Sequence, residues 1–293
     1  MEMKRQITVY NTLPEGLDAL KISSGTVHHS KQKAAAVDYL GEKYTPKFTP
    51  QAYVSKKDWR PLNEDEIACL TPPENRDYLN TIYLGVIPDE LRECFETLQL
   101  DESLHRRDMF FRLEKDPEAV KKATALMNDF LLPMSNNEPF HYHCMGVNNP
   151  NLELVAANTV MLPQDHVASD RVLIGLHNDG LQEMTIETAH SFENRISINL
   201  GKDSRYFLFV NLYLTEAYKM LKECMSPDEF ELVNISNIPK YFFKYFPDYP
   251  VIRVEQKPYQ YYIAATFNCF HDGSTLGSTH LDVTMVYFGK FQY

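Results

Sequence analysis

The spacing of apolar residues along the chain changes near residue 139. Before that point the clearest pattern is helical. Val120, Ala123, Met127 and Phe130 share one face behind Asp116-Pro117-Glu118, which offers an N-cap, a proline at the first helical position and an acid in the first turn. This predicts a core-packing helix ended by Pro133. Pro88-Asp89-Glu90 opens another, running to about Leu98. Residues 1 to about 80 mix short apolar runs with turn-formers such as Leu13-Pro14-Glu15-Gly16 and Thr71-Pro72-Pro73-Glu74-Asn75, and predict few regular elements.

After residue 139 short runs rich in Val, Ile, Phe, Tyr and Thr take over: Leu152–Leu162, Val172–His177, Met184–Thr188, Ile196–Leu200, Tyr206–Leu214, Val251–Glu255, Tyr259–Phe267 and Val283–Phe288. About eight short strands broken by turn residues suit a jelly roll or barrel. One helical interruption is expected, with Thr215 capping a helix through Cys224 and Ser226-Pro227-Asp228-Glu229 starting another. The pattern therefore predicts an α+β chain working as one unit over residues 1–293. A mostly helical or irregular region, 1–138, supports a β core, 139–293.

Composition narrows the function classes. The chain has 293 residues, 44% hydrophobic and 24% charged, which is ordinary for a globular protein. Its net charge of -11 disfavours a nucleic-acid backbone as partner and, if it does more than solubilise, favours a cationic substrate. Five cysteines without a C-x-x-C pair indicate a reducing compartment and argue against a cysteine zinc site. Met1 to Leu20 lacks a long apolar run, and no stretch approaches the ~20 apolar residues of a membrane span. The expected location is the cytoplasm, with a small-molecule substrate as partner.

The sharpest chemical signal is Gly175-Leu176-His177-Asn178-Asp179-Gly180, which follows an apolar strand and ends in a turn. Residues i and i+2 of a strand point to one face, so His177 and Asp179 project together. An imidazole and a carboxylate so placed can fill adjacent corners of a metal. A second histidine completes the 2-His-1-carboxylate triad, leaving positions open for substrate and O₂. The tripeptide alone is weak, since H-x-D also arises as an ordinary polar strand end. Two downstream residues could complete it. His271 closes a strand, Tyr261 to His271, whose face carries Ile263, Ala265, Phe267 and Cys269. His280 opens the last strand beside the less apolar set Asp282, Thr284, Val286 and Phe288. His271 is the preferred ligand.

H-x-D on one strand, a distal histidine several strands later and a short final strand resemble the Fe(II)/2-oxoglutarate-dependent dioxygenase superfamily over residues 150–293. The resemblance implies a double-stranded β-helix of the cupin-like kind. It implies iron held by His177, Asp179 and His271, and 2-oxoglutarate chelating that metal. O₂ would then hydroxylate an unactivated C–H bond of a small molecule, such as an amino acid or a derivative. Asp179 as the intact carboxylate argues against halogenation. The sequence departs from the family at one point. Many members carry an arginine about ten residues after the distal histidine, pairing with the far carboxylate of the co-substrate. Here that region reads Leu281-Asp282-Val283-Thr284. Arg205 is the first candidate to replace it, ahead of Arg171, Arg195, Arg253 and Lys290, and Ser274, Thr275, Ser278 and Thr279 offer hydroxyls.

Other histidines carry less. His141-Tyr142-His143 lacks the glutamate expected after a cupin H-x-H, His28-His29 reads as solvated, and His166 and His190 have no partner at ligand spacing. The aromatic run Tyr241 to Tyr249 reads first as core packing. No G-x-S-x-G, P-loop or G-x-G-x-x-G occurs. Two rivals remain: a cupin-type metal oxygenase that does without 2-oxoglutarate, and a non-enzymatic β-sandwich binding module in which His177 and Asp179 are incidental.

Overall fold

A computed structural model describes residues 2–74, 79–159, 161–163 and 166–292. Asn75 of the second turn motif and Val160 of the first expected strand lie outside these residues. Ten strands make the two larger sheets: β1 Thr8–Asn11, β2 Leu20–Ser23, β3 Thr81–Val86, β4 His141–Asn148, β5 Asn194–Asn199, β6 Arg205–Tyr213, β7 Val251–Gln256, β8 Gln260–Ala264, β9 Cys269–Ser274 and β10 Asp282–Gly289. One sheet has the order β1-β3-β8-β5-β10-β4 and the other β9-β6-β7-β2. From β5 onward the chain passes between the sheets repeatedly, with β5, β8 and β10 in the first and β6, β7 and β9 in the second. All pairings in both sheets are antiparallel except β1 with β3.

Each sheet is covered on its outer face by helices. In β5, Ile196 and Ile198 are fully buried and cluster with Leu91, Phe95, Met127 and Leu131, which lie on helices Asp89–Leu98 and Pro117–Met134. Strand alternation turns Arg195 and Ser197 to the other face. Behind β6, Leu208, Val210 and Leu212 pack with Phe242 and Phe243 of helix Ile238–Tyr245, so the aromatic run is core. Between the sheets, Phe207, Phe209 and Val254 meet Leu84, Tyr262 and Ala264.

Helix starts follow the sequence. The Asp116 carboxylate accepts from the Ala119 N–H at 3.0 Å, and the helix runs one residue past Pro133, to Met134. The helix expected behind a Thr215 cap spans Leu214–Cys224, so Thr215 lies in its first turn and does not cap it, whereas Ser226 caps Pro227–Phe230.

Four expectations are corrected. The N-terminal region contributes β1 and β2 to the two sheets, because Thr8–Asn11 and Leu20–Ser23 are too short to show a period yet find strand edges to pair with. The described residues of Leu152–Leu162 form no strand: Leu152 and Leu154 are buried, while the backbone N–H groups of Leu152, Val155 and Ala156 bond Thr275 and Asp272 side chains. Met184–Thr188 is a turn closed between Thr185 and Thr188, with Met184 and Ile186 as apolar anchors. The run Tyr259–Phe267 breaks after Ala264. A 3₁₀ turn, Thr266–Asn268, carries the chain across to β9 in the opposite sheet.

All five cysteines are unpaired. Among the described residues, no helix is long and apolar enough to cross a membrane.

Candidate metal centre

His177 is delivered by a turn that requires a glycine. Gly175 has φ +87, and a Cβ there would stand 2.9 Å from both the N and O of Tyr53. The Leu176 N–H donates to Tyr53 O at 3.0 Å, so the chain crosses another backbone at a distance only glycine permits. His177 then pairs as an antiparallel bridge with His271. Its N–H donates to the His271 carbonyl at 3.1 Å, and the His271 N–H returns the bond at 2.6 Å. His271 is the third residue of β9. Asp179 is held by its own N–H, which donates to Thr266 O at 3.1 Å.

These three side chains converge. One ligand atom from each of His177, Asp179 and His271 lies within 4.8 Å of the others. His177 Nε2 is 3.8 Å from Asp179 Oδ1, and His271 Nε2 is 3.7 Å from Asp179 Oδ2. Each imidazole turns Nδ1 to a backbone carbonyl, His177 to Gly175 at 3.0 Å and His271 to Cys269 at 3.3 Å. An Nδ1–H donor leaves the Nε2 lone pair facing the cluster, the arrangement that metal-ligating histidines adopt. His271 Nε2 is buried with no hydrogen-bond partner, an arrangement that is costly unless something outside the protein occupies the site.

The electrostatics suit a cation. Burial disfavours an ionised Asp179, but the flanking imidazoles and the Arg195 guanidinium hold its carboxyl well below the usual range. Burial pushes the His271 imidazole down to about 3, which keeps its lone pair free. Arg195 Nη1 reaches Asp179 Oδ2 at 3.3 Å. Asp272, 1% exposed, accepts three backbone N–H groups on Oδ1, from Val155, Ala156 and Gly273. Its Oδ2 stands 3.8 Å from His177 Nδ1.

The cluster lies in a cavity of about 540 Å³, lined among the described residues by four arginines, Arg106, Arg171, Arg195 and Arg205, against two carboxylates, Asp179 and Asp272. Asp179 is ion-paired with Arg195. The cavity is therefore cationic within an acidic protein, which reverses the expectation of a cationic substrate. The acidic excess sits elsewhere on the molecule.

His280, the rival distal ligand, is set apart: its side chain is 46% exposed and its Nδ1 lies 3.1 Å from Asp203. Arg205 is buried and lines the cavity. Its Nε meets Asp282 at 2.9 Å and its Nη1 donates to Gln256 Oε1 at 3.2 Å. Arg253 stacks over Trp59 and Tyr206, and Lys290 reaches Glu138. The hydroxyls of Ser274, Thr275 and Ser278 are spent on Leu152, Asn149 and Thr275 carbonyls, and that of Thr279 on Asp203. The expected solvated pair His28-His29 is half-buried, with His28 edge-on to Tyr53 and His29 stacked on Phe48.

Sequence reasoning passed over His143, Asp272 and Arg106, which all line the cavity. His143 is the third residue of β4 and the second histidine of the H-x-H, and only the strand's position against β10 brings it there. Asp272 carried no signal of its own. Arg195 was weighed only as a distant alternative, although its alternation with Ile196 and Ile198 marks a polar inner face.

No family model and no curated protein matches this chain. Among solved structures it is similar to the Kdo hydroxylase KdoO, described as a non-heme Fe(II) alphaketoglutarate dependent dioxygenase, in complex with cobalt(II). That similarity has 10% identity and a TM-score of 0.38, covering 71% of this chain and 79% of that one. The apo form and a complex with succinate and Fe(III) give TM-scores of 0.36 at the same identity. Similarity this slight leaves the chemistry to be derived from the chain's own residues.

Proposed function

We propose that this chain is a non-haem Fe(II)- and 2-oxoglutarate-dependent oxygenase that hydroxylates a small molecule, with its two sheets forming a double-stranded β-helix. The observation that carries this is the convergence of His177, Asp179 and His271, with both Nε2 atoms turned inward and one of them buried without a partner. Two imidazoles and one carboxylate suit a divalent first-row metal, and three protein ligands on one side leave the rest of its sphere for co-substrate and O₂. The four arginines of the cavity favour a dianionic co-substrate.

Bound at this site, iron supplies the redox chemistry that couples decarboxylation of 2-oxoglutarate to succinate with insertion of oxygen from O₂ into a C–H bond. The protein's own part is positioning. The backbone bridge between His177 and His271 fixes the separation of the imidazoles, and their Nδ1 bonds fix the ring planes. Arg195 holds Asp179 in place and offsets its charge. Arg205 leaves Nη2 without a protein partner among the described residues, since Nε faces Asp282 and Nη1 faces Gln256. We assign that nitrogen to the far carboxylate of 2-oxoglutarate, as a charge-assisted bond oriented by Asp282. The whole chain acts as one unit, and unpaired cysteines suit a reducing cytoplasm.

Anaerobic Fe(II) with 2-oxoglutarate should give the weak visible charge-transfer band of the chelate. His177→Ala and His271→Ala should each abolish it, and His280→Ala should leave it intact. A band that survives both of the first substitutions, or one lost only with the third, overturns the ligand set. Zinc retained on purification with no band on iron addition would point to hydrolytic chemistry instead.

A further inference from the structure

A second cavity, of about 790 Å³, lies against the first. Arg106, Val147, His166 and Arg171 line both, so the two meet along one wall. Each is large enough for a small organic ligand.

The outer cavity combines two features. Among the described residues its basic lining is Arg106, Arg107, Arg171, His105 and His166, against Glu42 as the one carboxylate. Its mouth is also apolar: Leu40, Leu104, Phe110 and Val167 are 58%, 55%, 39% and 46% exposed, and all four line this cavity. Exposed large side chains gathered at one place, rimmed by charge, mark a binding surface more often than scattered ones do.

Arg171 decides what kind of ligand fits. The guanidinium is largely withdrawn from water, and burial together with the neighbouring Arg106 charge pulls its pKa below the usual arginine value. Buried arginines are ordinarily paired with an acid. Arg195 has Asp179 and Arg205 has Asp282, whereas no carboxylate lies within ion-pair distance of Arg171 among the described residues. Its Nε donates to His166 Nε2 at 3.2 Å, and its Nη1 donates to Val147 O at 3.1 Å and Asn148 Oδ1 at 3.4 Å. These neutral contacts orient the guanidinium and, among the described residues, supply Nη2 with no partner and the charge with no acid.

We propose that the outer cavity binds a soluble amphiphilic anion, a carboxylate or phosphate carried on an apolar body, with Arg171 as its main anion contact and Arg106 and Arg107 at the mouth. The anion site stands on this cavity alone. The further step, that this ligand is the substrate and extends its reacting carbon past Val147 to the metal, rests on the oxygenase reading.

Calorimetric titration of the full chain, with and without Fe(II), against n-hexyl phosphate, inorganic phosphate and 1-hexanol tests it. Hexyl phosphate should bind at least about tenfold more tightly than either half-ligand, and Arg171→Gln should weaken it by about tenfold, the size of one charge-assisted bond. Should Arg171→Gln fail to fold, the exposed pair Arg106→Gln and Arg107→Gln should reproduce part of that loss. Equal binding of all three ligands, or hexyl phosphate affinity indifferent to every arginine variant, overturns the proposal. So does binding seen only with phosphatidylglycerol vesicles, which would make the face a membrane contact. Because the titration also runs without iron, the anion site and the Fe(II)–2-oxoglutarate band can fail independently. Hexyl phosphate that binds the iron-loaded chain without perturbing the band overturns the substrate step alone.

Discussion

At Gly273 a Cβ would stand 2.6 Å from Arg205 Nη2 and 2.9 Å from Val155 Cγ2. The absent side chain is thus what lets the guanidinium lie in the cavity two residues along from His271. Removing Arg205 itself would be a poor test, because breaking a buried pair leaves Asp282 uncompensated at a cost of about 3–5 kcal/mol. Gly273→Ala is cleaner. The added methyl pushes against the Nη2 end of the guanidinium and against Val155 Cγ2, and the backbone there has no left-handed strain. If Arg205 anchors 2-oxoglutarate, the co-substrate KM should rise about tenfold, the loss of one charge-assisted bond, while Fe(II) affinity stays unchanged. A KM within twofold of the parent (about 0.4 kcal/mol, less than any such bond) would remove Arg205 from that role. Arg195 cannot stand in for it, since it touches Asp179 directly and lies at the metal end of the cavity.

The turn before β10 shows how an element can imitate a ligand position. Asp203 accepts from the N–H groups of Thr279 at 2.6 Å and His280 at 2.9 Å, tying the start of the last strand to the loop after β5. Partial burial opposes its ionisation, but those two N–H groups and the His280 ring outweigh it and hold the carboxyl below its usual value. A depressed folded pKa contributes stability that is complete above the unfolded pKa and fades as pH falls through the folded one. Asp203→Ala should therefore cost about 1 kcal/mol in urea unfolding at pH 7, and the gap should close below about pH 4. An unchanged midpoint at pH 7 would show the turn to be held by other means. The same element marks where sequence stops being legible. His177 and Asp179 were expected at the end of a strand Val172–His177, but that strand stops at Leu173, and the Gly175 turn and the bridge to His271 bring the two side chains together instead. The predicted run Tyr261 to His271 is broken at Thr266–Asn268, and His271 reaches the cluster from the opposite sheet. Arg106 and Asp272 could not be read, and Arg171 entered only as an alternative to Arg205, because their neighbours come from long-range pairings that no local period records. The same holds for β1 and β2, which exist only because sheet edges elsewhere accept them.

Over the whole molecule, a net charge of -11 surrounds a cavity in which arginines outnumber carboxylates. An approaching dianion meets these two fields at different ranges. At ~0.01 M salt the Debye length is ~30 Å, so the ligand feels the acidic exterior well before the cavity; at ~0.1 M it is ~10 Å, and only charges near the cavity count. Raising salt over that interval screens the distant repulsion first and leaves the short-range attraction of Arg195 and Arg205 in a low-dielectric site largely intact. The association rate of 2-oxoglutarate with the Fe(II)-loaded protein, followed by stopped flow at the charge-transfer band, should therefore rise about two- to threefold between ~0.01 and ~0.1 M salt. A site whose own cations dominate at long range behaves oppositely, its rate falling from the lowest salt upward. That outcome would mean the acidic residues lie far from the approach path, and the exterior charge would then have no part in selecting what reaches the metal.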